Sequence, residues 1–429
     1  MEFKQYPSYK NSGVEWLGDV PEHWQIVRTK DIFNHRKEEA LEDDEIVTAF
    51  RDGQVTLRKN RRTDGFTNSI KEHGYQHINS GDLVIHEMDA FAGAIGVSDS
   101  SGKSTPVYSV CYAKNENINH HFYSHFFRTM AKTGFINSLA KGIRVRSTEF
   151  RWNESRNVYL ALPPQIDQQK IVSFLNTETT RIDNLISKQE KLIELLEEQR
   201  KSIISHAVTK GLNPNAPMKD SGVEWLGEVP ESWEVIPSKF YFTERKEKAV
   251  NGDKQLTASQ KHGIIYQDEF IAENGRVMVV MKNPEILKKV RPNDFVISMR
   301  SFQGGLELSS LEGSISSAYV MLKPDLSLIN TEYFKYLFKT PRYIQSLQST
   351  SNLIRDGQAL RFNNFSQVKL VLPPKSEQQE IVEYLDKEKN KIDNLIYKQK
   401  TLIEKLKEYR ASIISHAVTG KIDVREFGA

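Results

Sequence analysis

The chain says nearly the same thing twice. Ser12-Gly13-Val14-Glu15-Trp16-Leu17-Gly18, then Val20-Pro21-Glu22 and Trp24, returns as Ser221 to Gly227, then Val229-Pro230-Glu231 and Trp233. A second block, from Leu162-Pro163-Pro164 to Thr209, returns from Leu372-Pro373-Pro374 to Thr419. Trp16 to Trp225 is 209 residues and His206 to His416 is 210, so the register holds across half a chain. Repeat architectures such as solenoids and propellers have periods of roughly 20–50 residues and are excluded. The chain must build two copies of one large unit. Between the paired blocks the halves differ widely, so a constant frame carries two different inserts, the pattern of a bivalent reader of two targets.

Composition narrows the setting. Lys+Arg exceed Asp+Glu by three over 429 residues. The sequence pI of about 8.5 lies below the ~9 that usually marks a nucleic-acid-binding domain. Any DNA contact must come from local patches. The one cysteine, Cys111, lies in a strand-like run and cannot form an intrachain disulfide or a thiolate cluster, so it is read as buried and inert. Met1 to Tyr6 lacks the apolar stretch of a signal peptide, and no run approaches the ~18 apolar residues of a membrane span. A soluble, reducing, cytoplasmic setting is expected.

The fold class expected is mixed α/β. Short apolar runs bounded by turn residues, such as Asp82 to His86 after Ser80-Gly81, predict strands. Tyr123 to Leu139 and Thr331 to Gln348 predict one helix in each unit. Thr48-Ala49 with Gly53 matches Thr257-Ala258 with Gly263, and Asp82 matches Asp294, so the inserts are expected to share one fold. Each unit ends in an apolar strand running into Pro-Pro, which cannot continue a sheet ladder but suits a first helical turn. A long helix follows. Ile182, Leu185, Gln189, Leu192 and Leu196 are spaced 3-4-3-4, and Ile392, Leu395, Gln399, Leu402, Leu406, Tyr409 and Ile413 continue the pattern in the second copy. That is an a/d seam, and the obvious partner of each helix is the other. Lys210-Gly211 and Thr419-Gly420 supply C-terminal stops. Antiparallel pairing would give one chain an approximate twofold axis and two docking faces. Two units meeting one face of B-DNA would read blocks about one helical turn apart, ~10–10.5 bp.

Tandem SGVEWLG-x-VPE-x-W blocks, LPP-x3-QQ-x-IV junctions and helices ending SIISHAVT resemble the specificity subunit of type I restriction–modification systems over essentially the whole chain. The resemblance implies two target-recognition domains, at 1–161 and 211–371 (with a linker), and two conserved helical regions, at 162–210 and 372–429, forming an antiparallel coiled coil. It implies a bipartite, asymmetric DNA site. It also implies two modification (N6-adenine methyltransferase) subunits and restriction (translocase–nuclease) subunits as partners. S-adenosylmethionine, ATP and Mg would belong to those partners, and this chain would carry no catalysis and no cofactor of its own.

The residues agree that no catalytic constellation stands out. Asn/Asp-Pro-Pro-aromatic is missing, and Gly102-Lys103-Ser104 lacks the glycine five places earlier that a phosphate loop needs. His120, His121 and His125 lack a completing carboxylate for metal. The candidates for DNA are basic and amide residues near predicted loops: Arg51, Arg58, Lys59, Arg61 and Arg62; Lys141, Arg144, Arg146 and Arg151; Arg300 and Gln303; and Arg355, Gln358 and Arg361. Arg pairs with guanine, Gln with adenine, and Lys mostly holds phosphate. Trp16, Trp24, Trp225 and Trp233 recur in both units and are therefore read as packing residues. The competing expectations are a self-sufficient restriction enzyme, against which the missing motifs speak, and a coiled-coil adaptor for two proteins.

Overall fold

Each duplicated tryptophan block is anchored by its second indole. In the computed structural model, which describes residues 3–61, 73–139, 150–260, 262–274, 286–298, 301–350 and 360–427, Trp24 and Trp233 are fully buried. Trp24 Nε1 donates to Asp167 Oδ2 at 3.2 Å and Trp233 Nε1 to Glu377 Oε2 at 2.9 Å. Both carboxylates lie in the first turn of a long helix, Gln165–Lys210 or Lys375–Val418. The positive end of the helix dipole favours a carboxylate there.

The glutamine of the LPP-x3-Q motif completes the joint. Gln168 is fully buried; its Oε1 accepts from Asn119 N, and its Nε2 donates to Asn117 O and Pro163 O. Gln378 does the same with Asn330 N, Leu328 O and Pro373 O. Asn119 and Asn330 in turn cap helices of the globular parts, accepting from His121 N and Glu332 N respectively. One side chain thus ties the start of each long helix to the globular part.

The chain divides into two compact units, Met1–Gln189 with Thr401–Ala429, and Glu190–Lys400. Both repeat one topology. In the first, an antiparallel sheet runs Phe33–His35, Tyr108–Ala113, Leu83–His86, Ile95–Val97; in the second, Phe242–Arg245, Val320–Pro324, Phe295–Ile297, Glu307–Leu308. Asp82 and Asp294, matched in sequence, stand just before the third strand of each sheet. Each holds a guanidinium bidentately, Asp82 that of Arg36 at 2.8 and 3.0 Å and Asp294 that of Arg245 at 2.6 and 2.9 Å. Two further pairings, Gln25–Arg28 with Tyr159–Leu162 and Glu234–Pro237 with Lys369–Leu372, deliver each chain into its Pro-Pro junction. Aromatic side chains fill the cores: Phe33, Phe122, Tyr123 and Phe126 in one, Phe242, Phe295, Tyr333 and Phe338 in the other.

The helix expected over Tyr123 to Leu139 is instead His120–Lys132 followed by a turn of Phe135–Ser138. Gly134 takes a left-handed φ of 80° between them. The helix expected over Thr331 to Gln348 breaks into Thr331–Leu337 and Pro341–Ser349. Pro341 disfavours helical backbone at the residue before it and has no N–H to donate.

In the first unit the start of the first long helix packs against the end of the second. Phe174 and Leu175 join the core that holds Ile414, Ala417 and Val418, while Asp183 meets Arg410 at 2.8 and 3.0 Å. The second unit holds the complementary pieces. Ala207 and Val208 join the core of Ile381 and Leu385, while Arg200 meets Asp393 at 2.6 Å. In each unit, advancing along one helix means retreating along the other, so the pairing is antiparallel. Both helices end at a left-handed glycine, Gly211 (φ 75°) and Gly420 (φ 73°).

The seam differs from the expected one at alternate positions. Ile182, Leu196, Ile392 and Ile413 are buried as expected, and Leu185 and Leu406 are half-buried. Leu192, Leu395, Leu402 and Tyr409 are exposed, and their C-terminal neighbours turn inward: Ile396 and Ile403 are buried, Ile193 and Arg410 half-buried. The cause is adjacent apolar pairs. Leu-Ile occurs at 192–193, 395–396 and 402–403. Steps of 3-4 and 4-3 from the same first residue are equally apolar, and packing selects the second.

Candidate nucleic-acid interface

Three of the expected arginines surround one cleft in the first unit. Val47–Ala49 pairs with Val55–Leu57, and Gly53 closes the hairpin with a φ of 94°. Arg51 stands at the hairpin tip, while Arg58 and Arg61 follow its second strand. The cleft, about 770 Å³, is lined by these three with Thr48, Phe50, Asp52, His86, Asp89, Thr105 and Tyr108 among others.

Its charges are held ready by acids. Arg51 Nη2 lies 3.0 Å from Asp89 Oδ1, and Arg61 Nη1 lies 2.7 Å from Asp52 Oδ2 with its guanidinium 4.2 Å above the Phe50 ring. Arg58 Nε donates to Thr48 Oγ1 at 3.2 Å, and Lys59 pairs with Glu45. Arg151, which precedes the short helix Trp152–Ser155, is exposed and 3.9 Å from Glu87. Exposed pairs of this kind contribute only about 0–1 kcal/mol, so phosphate or a base edge can displace the acid at small cost. At the cleft wall His86 and Tyr108 meet edge to face at 4.5 Å. Burial lowers the His86 pKa and pushes the Tyr108 hydroxyl up to about 12, so both rings are neutral near pH 7.

In the second unit Arg361 occupies the place of Arg151, preceding the helix Phe362–Gln367. It lines a cleft of about 510 Å³ with Glu244, Lys288, Leu360, Phe362 and Asn363. Gln303 is exposed on the short helix Ser301–Gly304. Arg62, Lys141, Arg144, Arg146, Arg300, Arg355 and Gln358 lie outside the described residues. His86, Tyr108, Thr48 and Thr105 were not anticipated. Only strand register places them, through the pairing of Tyr108 with His86.

The other motifs settle into structure. Gly102–Ser104 is a strand paired with Gln76–Ile78, not a phosphate loop. His120 Nε2 accepts from Ala113 N at 2.9 Å while its other ring nitrogen faces Gly81 O. Among the described residues no group of His, Cys, Asp and Glu is placed to hold a metal. Cys111 is buried and its thiol pKa is raised by that burial. Trp16 and Trp225 pack edge to face on Phe126 and Tyr343. Among the described residues no helix is long and apolar enough to cross a membrane.

Residues 21–197 match the family model of the type I restriction modification DNA specificity domain. The chain is 22% identical, over 99% of both chains, to the putative type I restriction enzyme MjaX specificity subunit of Methanocaldococcus jannaschii. It is 24% identical to the MjaVIII specificity subunit of the same organism, over 95% of this chain and 94% of that one. The fold is similar to a chain solved in work on complex assembly and conformational transition of the type I R-M system (TM-score 0.64, 16% identity, 93% and 98% covered). It is also similar to the HsdS subunit of Thermoanaerobacter tengcongensis (TM-score 0.54, 16% identity, 94% and 98% covered). The chain is thus similar, over nearly its whole length, to type I restriction enzyme specificity subunits, and its first half carries the match to their DNA specificity domain. The arginine cleft lies within the stretch that matches the family model.

Proposed function

We propose that this chain is a type I specificity subunit and reads a bipartite, asymmetric DNA site, one short block per unit around an unread spacer. It would position one methyltransferase subunit over an adenine in each block and carry no catalysis itself. Restriction subunits would complete the endonuclease. The observation that carries the reading is the contrast inside each unit. The joints made by Trp24, Gln168, Trp233 and Gln378 are the same, whereas the inserts that the joints frame differ widely in sequence. Identical joints suit two copies of one partner, and unlike inserts suit two unlike blocks of bases.

The test is base-resolution mapping of adenine methylation in host DNA, with the modification partner present and this chain present or deleted. One two-block motif should gain methylation only when the chain is present. The purified chain alone should transfer no methyl group. A complex that assembles yet changes no motif would overturn the reading.

A further inference from the structure

The two units differ at one charge that their shared fold should have balanced. Phe127-Arg128-Thr129 and Phe338-Lys339-Thr340 occupy the same place, nine residues after the capping Asn119 and Asn330. In the second unit Lys339 Nζ meets Glu307 Oε2 at 2.8 Å. Glu307 stands opposite Val296 in the sheet. The residue in that position in the first unit, opposite Val84, is Gly96. No side chain fits there, because a Cβ on Gly96 would come within 2.0 Å of Gly53 O.

Arg128 therefore has no carboxylate partner among the described residues, and its Nε is buried without a hydrogen-bond partner. One turn earlier, His125 Nδ1 is likewise buried and unpartnered. Lys132, one turn later, is exposed. Burial first, and then the charge of Arg410 among others, lowers the pKa of His125, Arg128 and Lys132. Asp52, whose charge acts on Arg128 in the opposite sense, is already bonded to Arg61. The Arg128 guanidinium lies across Gly53, where a Cβ would come within 2.3 Å of Nη1. That glycine is the hairpin tip carrying Arg51, so the unbalanced charge adjoins the arginine cleft.

We infer that Arg128, with Lys132 and His125, holds a backbone phosphate of bound DNA in the first unit, at a place the second unit closes internally with Lys339–Glu307. The inference rests on the DNA-recognition reading. A phosphodiester supplies the missing acceptor and negative charge, and a guanidinium suits its geometry. Continuity with the arginines of the cleft favours DNA over an acidic protein surface.

The experiment is fluorescence anisotropy of a mixed-sequence DNA duplex with the full-length chain across a salt series. Arg128→Met should weaken binding about tenfold for any sequence and lower the salt slope by about 1, the signature of one lost phosphate contact. Arg128→Lys should keep the slope. The double variant Lys339→Met, Glu307→Gln should change neither quantity. If the wild-type chain binds no duplex, the DNA-recognition reading itself fails and this inference with it. If the wild type binds and Arg128→Met matches it, only the inference is overturned. Unchanged DNA binding with lost co-purification of the modification subunit would overturn it in favour of a protein contact. Should Arg128→Met not fold, Lys132→Ala decides: a shallower salt slope supports the site and an unchanged one overturns it.

Discussion

On the first unit's helix face Arg128 has no carboxylate partner among the described residues, where the second unit carries the closed Lys339–Glu307 pair, yet the glutamine and indole bonds of their joints to the long helices are the same. Gln168 and Gln378 make the same three hydrogen bonds, and Trp24 and Trp233 both donate to a first-turn carboxylate. The difference teaches where each kind of constraint acts. Gln168 and Gln378 are fully buried, and a buried amide that loses its partners costs more than its bonds contribute when made. The residues around the clefts are partly wet, and single changes there cost little. The fold therefore holds the joint fixed and leaves the clefts free to differ.

The largest expected effect tests the sameness of the joint. Gln168→Ala strands the Asn119 N–H and two carbonyls, and Gln378→Ala strands the same set in the other unit. Each should cost about 2–4 kcal/mol. Urea unfolding of the full chain should show the two variants shifted by similar amounts. A large shift in one and none in the other would break the equivalence of the units.

The repeat, the mixed α/β class and the two long helices were legible because they rest on identical blocks and on strong periodicity. The seam was legible only to within one residue. Leu192-Ile193, Leu395-Ile396 and Leu402-Ile403 offer two apolar stripes about 100° apart on a helix, and the facing helix selects between them. The breaks at Gly134 and Pro341 were marked in the sequence, but continuous apolar spacing on either side outweighed them. Arg51, Arg58 and Arg61 were found as a dense basic run. Arg128 was not, because its meaning depends on Gly96 and Gly53, which only strand register brings to it. Its sequence signal was the match of Phe127-Arg128-Thr129 with Phe338-Lys339-Thr340.

A pH titration sharpens the contrast further. Burial first, then the charges of Arg128, His121, Arg410 and Lys132, push the His125 pKa from 6.5 down to about 4. An unfolded chain binds that proton more readily, so its neutral form contributes stability in full above pH 6.5 and loses it as pH falls towards 4. The corresponding residue of the second unit, Tyr336, donates to Asp386 Oδ1 and does not ionise in this window. Stability of the full chain should fall over that range, and His125→Gln should flatten the fall. An unchanged slope in His125→Gln would show that His125 is not held neutral by its surroundings.

The smallest effect concerns the paired long helices. Arg410 grips Asp183 with two bonds, while Arg200 gives Asp393 one, and Asp393 also has Lys389 at 3.4 Å. All these groups are partly exposed, so each pair contributes only about 0.2–1 kcal/mol. Arg410→Ala should cost more than Arg200→Ala, because it leaves Asp183 without its bidentate partner whereas Asp393 keeps a lysine. Exchanging the charges as Asp183→Arg with Arg410→Asp should recover most of the loss. Near 1 M salt, where screening acts within about 3 Å, the difference between the two single variants should vanish. A difference that survives high salt would mean that Arg410 acts through packing of its stem in the seam, as its position one residue beyond the exposed Tyr409 allows.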